Sequence, residues 1–208
     1  MSSLSNQSQT LSDAVLSRRL PAERSRSWLT DAMLIALFSG FVALTAQIEI
    51  RLPFTPVPIT GQTLGVLLTG AALGSRRGAL ALMLYLLEGA IGLPVFAGGA
   101  AGFARILGPT GGYLLACPLA AGVVGLLAER GWDRRLPLAA LAMLIGNLVI
   151  YLLGVSWLGF YKGILGDVSM LWAGVYPFLP GDLLKIAIAA IVLPGAWRLL
   201  NGIDRRGS

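Results

Sequence analysis

From Ala32 to Ile48 the chain reads AMLIALFSGFVALTAQI, a run without one ionisable side chain. Coiled into a helix at ~1.5 Å per residue, such a run is about 25 Å long and apolar on every face, which suits the ~30 Å hydrocarbon layer of a bilayer and not a water-facing surface. Five further runs follow it, Gly61 to Leu73, Ala79 to Leu93, Gly111 to Ala128, Leu138 to Trp157 and Pro180 to Leu200. The chain is 56% hydrophobic and 12% charged, with a mean hydropathy of +0.77, so it has too few charges to cover a soluble globule. At about 20 residues per span, 208 residues accommodate six spans, and an all-α membrane protein with six transmembrane helices is expected. Residues 1–30 read as a polar, disordered cytoplasmic tail, 31–200 as the membrane domain and 201–208 as a second cytoplasmic tail.

Charge placement orients these spans. Six crossings put both termini on one side, together with Arg18, Arg19, Arg24, Arg26, the pair Arg76 and Arg77, the turn of Arg130, Arg134 and Arg135, and Arg198, Arg205 and Arg206. Twelve cations thus face three on the other side, Arg51, Arg105 and Lys162, and this bias predicts a multi-pass protein of the cell (inner) membrane with both termini cytoplasmic. The net charge of +6 is explained by the same bias and needs no nucleic-acid partner. Inner turns are short and basic. The outer connections are long, apolar and rich in Pro and Gly, as expected of lids over a pocket; aromatic residues resting in the membrane interface would produce the same composition.

Chemistry-bearing residues are few. Zero histidines and a single cysteine, Cys117, exclude zinc-finger frameworks, internal disulfides and imidazole catalysis. There is no GxxxxGK[ST] loop for ATP, no GxSxG elbow and no HExxH helix, so no cofactor, metal or enzymatic activity is expected. Asp182 and Lys185, three residues apart at the start of the last span, share a helix face; an inward pair would satisfy itself when empty and offer an acceptor and a donor to a ligand. A capping acid with a snorkelling lysine would give the same pattern. Arg105, in an outer loop, could hold a carboxylate in bidentate fashion. Asn147 and Tyr151, four apart on the fifth span, and Gln62 at the top of the second could supply neutral hydrogen bonds or pack between helices. Glu88 is an intramembrane carboxylate, lining the cavity or paired with a base. Ala32, Ala36 and Gly40 form a small-residue stripe on the first span, where another helix could approach closely.

Five motifs, FTPVPITGQTLGVLL from Phe54, GLPVFAGG from Gly92, LGPTGGYLL from Leu107, NLVIY from Asn147 and PFLPGDLLK from Pro177, occur in order and together resemble the BioY family. That family comprises the biotin-specific substrate-binding (S) subunits of energy-coupling factor (ECF) transporters. The resemblance implies an ECF S-component architecture: six membrane helices in the lipid bilayer, biotin captured at the outer face beneath loops one and three, and a transmembrane coupling subunit with ATPase subunits as partners. It further implies that Asp182 and Lys185 are the ligand-binding acid and base, and that Ala32 and Ala36 form the docking surface for the coupling subunit. Biotin's ureido ring would meet Asp182 and Lys185, its carboxylate Arg105, and its bicycle Trp172, Tyr113 or Phe96. A self-sufficient carrier of biotin or another small vitamin is the alternative within transport, and a membrane enzyme the alternative outside it.

Overall fold

The computed structural model describes residues 10–19 and 28–204. Helix α1 (Leu11–Arg19) is followed by α2 (Trp28–Ala46), a two-stranded ladder of β1 (Glu49–Ile50) and β2 (Ile59–Thr60), α3 (Gln62–Leu73) and α4 (Ser75–Ala90). After them come α5 (Phe103–Leu107), α6 (Gly111–Glu129), α7 (Leu136–Leu158), α8 (Lys162–Leu165), α9 (Met170–Gly174) and α10 (Leu179–Asp204). The ladder is antiparallel, with Glu49 opposite Thr60 and Ile50 opposite Ile59. Pro53, Pro56 and Pro58 withhold backbone donors from the segment between the strands, which keeps the ladder short.

Helices occupy all six apolar runs, but they are not six equal spans. Four stretches, Trp28–Ala46, Gly111–Glu129, Leu136–Leu165 and Met170–Gly202, each contain a helix long and apolar enough to cross a membrane. The other two helices, α3 with 12 residues and α4 with 16, reach only about 18 and 24 Å at ~1.5 Å per residue. Helix α3, largely buried against its neighbours, need not match the full hydrocarbon thickness, whereas α4 buries one face and exposes Leu80, Met83 and Leu87. Of the six expected spans, four are thus full-length candidates and two are shorter helices. Arg76 and Arg77 also move: the turn is Gly74 alone, at φ +83°, and both arginines lie in the first turn of α4.

Small residues let the helices meet at backbone distance. Helix α6 is the centre, packed by α3, α4 and α7, with Ala116, Ala120, Ala121 and Val124 fully buried. Gly70 of α3 lies directly against the Ala121 backbone of α6, and any Cβ there would collide with that carbonyl. Helix α2 lies at the periphery. Its Ala32, Ala36 and Gly40 are exposed, as are Met33, Leu37 and Leu44, whereas Ser39 is buried and donates to Glu88 Oε2 at 2.6 Å. Glu88 is thus paired with a hydroxyl on α2 and does not line the cavity described below.

The end of the bundle that carries α1 is tied by charge. Residues 11–19, within the segment expected to be a disordered tail, form α1, whose start is capped by the Thr10 hydroxyl accepting from Asp13 N at 3.3 Å. Arg77 then bridges two acids, Asp13 at 2.6 Å and Asp31 of α2 at 2.7 Å, and Arg18 donates to the Leu200 carbonyl at 2.6 Å. Burial works to raise the Asp13 carboxyl, but the Arg77 guanidinium and the Thr10 hydroxyl outweigh it and hold it below the ordinary carboxylate range. Asp133, in the turn between α6 and α7, is pushed up by burial; Trp197 donates to its Oδ2 at 2.5 Å and stacks under Arg134 at 4.4 Å. The remainder of the tail, with Arg24 and Arg26, and the C-terminal Arg205 and Arg206 lie outside the described residues.

Candidate functional site

Helices α3, α6, α7 and α10 converge at the end of the bundle that carries the Pro- and Gly-rich loops, and enclose a cavity of about 730 Å³, its open mouth included. Asp182, Lys185, Arg105, Asn147, Tyr151 and Gln62 all line it. These six come from four different helices, α3, α5, α7 and α10, so their meeting is a product of the fold and not of their spacing in the chain.

Pro180 near the start of α10 leaves Asp182 in the first helical turn, and Lys185 follows one turn later on the same face. The pair is buried: the side chains are 7% and 14% exposed, and Lys185 Nζ donates to Asp182 Oδ1 at 2.9 Å. Two neighbours complete it. Lys185 Nζ also donates to Thr63 Oγ1 at 2.9 Å, Thr63 Oγ1 lies 3.4 Å from Asp182 Oδ1, and the Tyr151 hydroxyl donates to Asp182 Oδ2. Buried charges require such partners, because an unpaired one costs several kcal/mol, on the order of 3–5 when a partner is removed. The reading of Asp182 as a capping acid and Lys185 as a snorkelling lysine is not the arrangement found: both point into the cavity.

Asn147, one turn before Tyr151 on α7, is 3% exposed, and neither its Oδ1 nor its Nδ2 has a hydrogen-bond partner among the described residues. An amide left unpaired at this depth loses solvation on both its donor and acceptor sides, so it marks the place where a polar ligand group would be bound. Gln62 Nε2 donates to Cys117 Sγ at 3.7 Å, and Cys117 in turn donates to the Tyr113 carbonyl at 3.2 Å. Arg105, on α5, is half-buried at the mouth, and its guanidinium makes no hydrogen bond or ion pair among the described residues. Its fork remains available to an anion.

The walls between these groups are apolar. Phe96, Tyr113, Leu114, Ile150 and Phe178 supply them. Phe96 is 1% exposed and meets Tyr85 edge to face with ring centroids 5.5 Å apart. Trp172, expected with Tyr113 and Phe96 as an apolar wall, is 54% exposed and stands against Tyr176 outside the cavity. The loops at this end pack on one another and on α6: Thr55 Oγ1 donates to the Ala173 carbonyl at 2.6 Å, Tyr113 OH donates to the Gly174 carbonyl at 2.9 Å, and Val57 joins Leu158, Leu165, Ala173 and Phe178 in one buried cluster. Sequence reasoning missed Thr63. Its only signal is its position beside Gln62 in TGQT, and a threonine in an apolar helix ordinarily bonds to its own backbone.

The arrangement suits a small molecule with an apolar body, a polar head offering both donors and an acceptor, and an anionic tail. The family model described as the BioY family matches residues 14–202. A biotin transporter BioY from Rhodobacter capsulatus is 44% identical over 174 residues, covering 78% of this chain and 90% of that protein, and one from Rhizobium etli is 39% identical over 170 residues, with the same two coverages. The fold is shared with the crystal structure of the S-component for biotin from an ECF-type ABC transporter, at a TM-score of 0.70 and 24% identity over 86% of this chain and 95% of that one. With the motifs, the matched length and the fold in agreement, this chain belongs to the BioY family.

Proposed function

We propose that the chain is the biotin-binding membrane subunit of an ATP-driven ECF uptake transporter, not an enzyme, and that it captures biotin in the cavity at its outer face. The observation that carries this reading is one cavity holding a self-paired Asp182 and Lys185 at one part, an Asn147 amide within and an Arg105 guanidinium at the mouth, the last two without a partner among the described residues. A ureido ring has two N–H donors and one carbonyl: Asp182 accepts from the first, Lys185 donates to the second, and Tyr151 keeps the carboxylate oriented. Arg105 takes the carboxylate of the valeryl chain, and Asn147 and Gln62 supply neutral hydrogen bonds. Because Asp182 and Lys185 already satisfy each other when the site is empty, binding exchanges their mutual bond for ligand bonds and exposes no bare charge.

Transport energy comes from partners in this reading. A transmembrane coupling subunit docks on the exposed stripe of Ala32 and Ala36, ATPase subunits drive the cycle, and both termini are cytoplasmic, with α3 and α4 completing six membrane helices in the bilayer. Titration calorimetry of detergent-purified protein, stripped of co-purifying ligand, tests the capture step against biotin, desthiobiotin, riboflavin and thiamine. Saturable binding that is tightest for biotin and absent for riboflavin and thiamine is the expected result. Folded protein that binds no biotin overturns it.

A further inference from the structure

The cavity has a wall of backbone, residues 95–99, that carries Phe96 and Ala97 into the lining. This rim is held in two ways. Its inner side is anchored by the Phe96 ring, which lies over Gly89 so closely that a Cβ there would collide with it, and by Tyr85 OH donating to the Val95 carbonyl at 3.2 Å. Its outer side is held by one side chain from outside the rim. Gln47, in the turn directly after α2, lies within hydrogen-bond distance of the Val95 and Phe96 carbonyls through Nε2, each at 3.3 Å, and accepts from Gly99 N through Oε1 at 3.0 Å. The same Nε2 donates to the Ala43 carbonyl of α2 at 2.9 Å, which fixes the amide against the helix it follows. The rim's own turn is closed by Phe96 N donating to the Ala100 carbonyl and Gly99 N donating to the Phe96 carbonyl, each at 3.0 Å, but Gly98 and Gly99 sit at φ +65° and +72°, a conformation glycine enters and leaves freely, so the outside hold adds to these bonds. Gln47 is exposed and does not line the cavity, so any effect it has on a ligand passes through the rim.

From this geometry we infer that Gln47 is a positioning residue that clamps the cavity rim to α2 and thereby slows the escape of bound ligand. The inference rests on the biotin reading above. It also gives α2 two duties: its inner half carries the exposed small-residue stripe and its outer end holds the rim, so a displacement of α2 is transmitted to the wall of the binding site.

The test is the dissociation of radiolabelled biotin from detergent-purified protein, chased with excess unlabelled biotin, in wild type, Gln47→Ala and Gln47→Met. Water competes for the same carbonyls at this exposed position, so loss of the clamp is expected to speed dissociation by about tenfold and to change association by less than about twofold. Gln47→Met, which keeps the length and removes the polar atoms, should behave as Gln47→Ala does. A thermal unfolding midpoint and a count of binding sites per protein are read alongside, because a merely structural lesion lowers these and leaves the dissociation rate of the surviving sites unchanged. Wild-type dissociation rates in both variants overturn the clamp, as does a wild-type rate in Gln47→Met alone. If wild type itself retains no biotin, the biotin reading falls and the clamp with it; retention by wild type with unchanged variants removes the clamp only.

Discussion

Asp182 is met by Lys185, Thr63 and Tyr151 at once, and that crowding sets what a substitution there would do. Asp182→Asn removes the anion but keeps the shape, leaving Lys185 buried with a hydroxyl and a neutral amide; Lys185→Met leaves the carboxylate with two neutral donors. On the proposed assignment each also deletes a charge-assisted bond to the ureido ring, worth about 1.5–3 kcal/mol, so biotin affinity is expected to fall roughly 10- to 150-fold in calorimetry. An affinity within about twofold of wild type in both variants would remove these residues from the site. A second residue-scale expectation concerns Asp13, whose folded carboxyl titrates below its ordinary value. Stability from a depressed acid is complete above the unfolded value, ~3.9, and is lost as pH falls through the lower folded value. A spin label at Ser17→Cys should therefore be immobilised near neutral pH and released in strong acid, while Asp13→Asn should loosen α1 at every pH. A label equally immobile in Asp13→Asn would show that Arg77 does not hold the helix through this carboxylate.

At the level of elements, α2 differs from its neighbours in what it leaves open. Helices α3 and α6 bury most of their residues within the bundle, whereas α2 exposes Ala32, Ala36 and Gly40 on a peripheral face. In a bilayer, helices gain little from burying apolar surface against each other instead of lipid, so close packing over small residues is what a docking face needs. Ala32→Leu with Ala36→Leu should leave biotin affinity unchanged and abolish co-purification with a coupling subunit and ATP-dependent uptake in cells expressing the whole complex. Uptake at the wild-type rate would move the docking face elsewhere. The elements also show where sequence reading reaches its limit. The apolar runs located the helices, because charge-free stretches are a local property. The turn at Gly74 and the extent of α4 were not legible, since two adjacent arginines read as loop until Asp13 and Asp31, from two other helices, are seen to neutralise one of them.

For the whole molecule, the distribution of cations makes a topological prediction: of two exposed positions, reagents confined to the outside should label Ile164→Cys, in the outer connection, but not Asn201→Cys at the opposite end of the bundle. The reverse pattern, or labelling of both, would overturn the assignment of both termini to the cytoplasm. The sequence alone determined that this chain resides in a membrane, which end of its spans is basic, which family it resembles, and which six polar residues merit attention, because composition, charge order and motif spacing are properties of the chain read along its length. Only the tertiary structure decided that those six share one cavity, that Thr63 joins them, that Trp172 does not, and that Gln47 reaches the rim. Lys185 and Thr63 are 122 positions apart, and Gln47 and Phe96 are 49. Contacts at such separations are set by how α6 packs its neighbours over glycine and alanine, and no local pattern along the chain encodes that crossing.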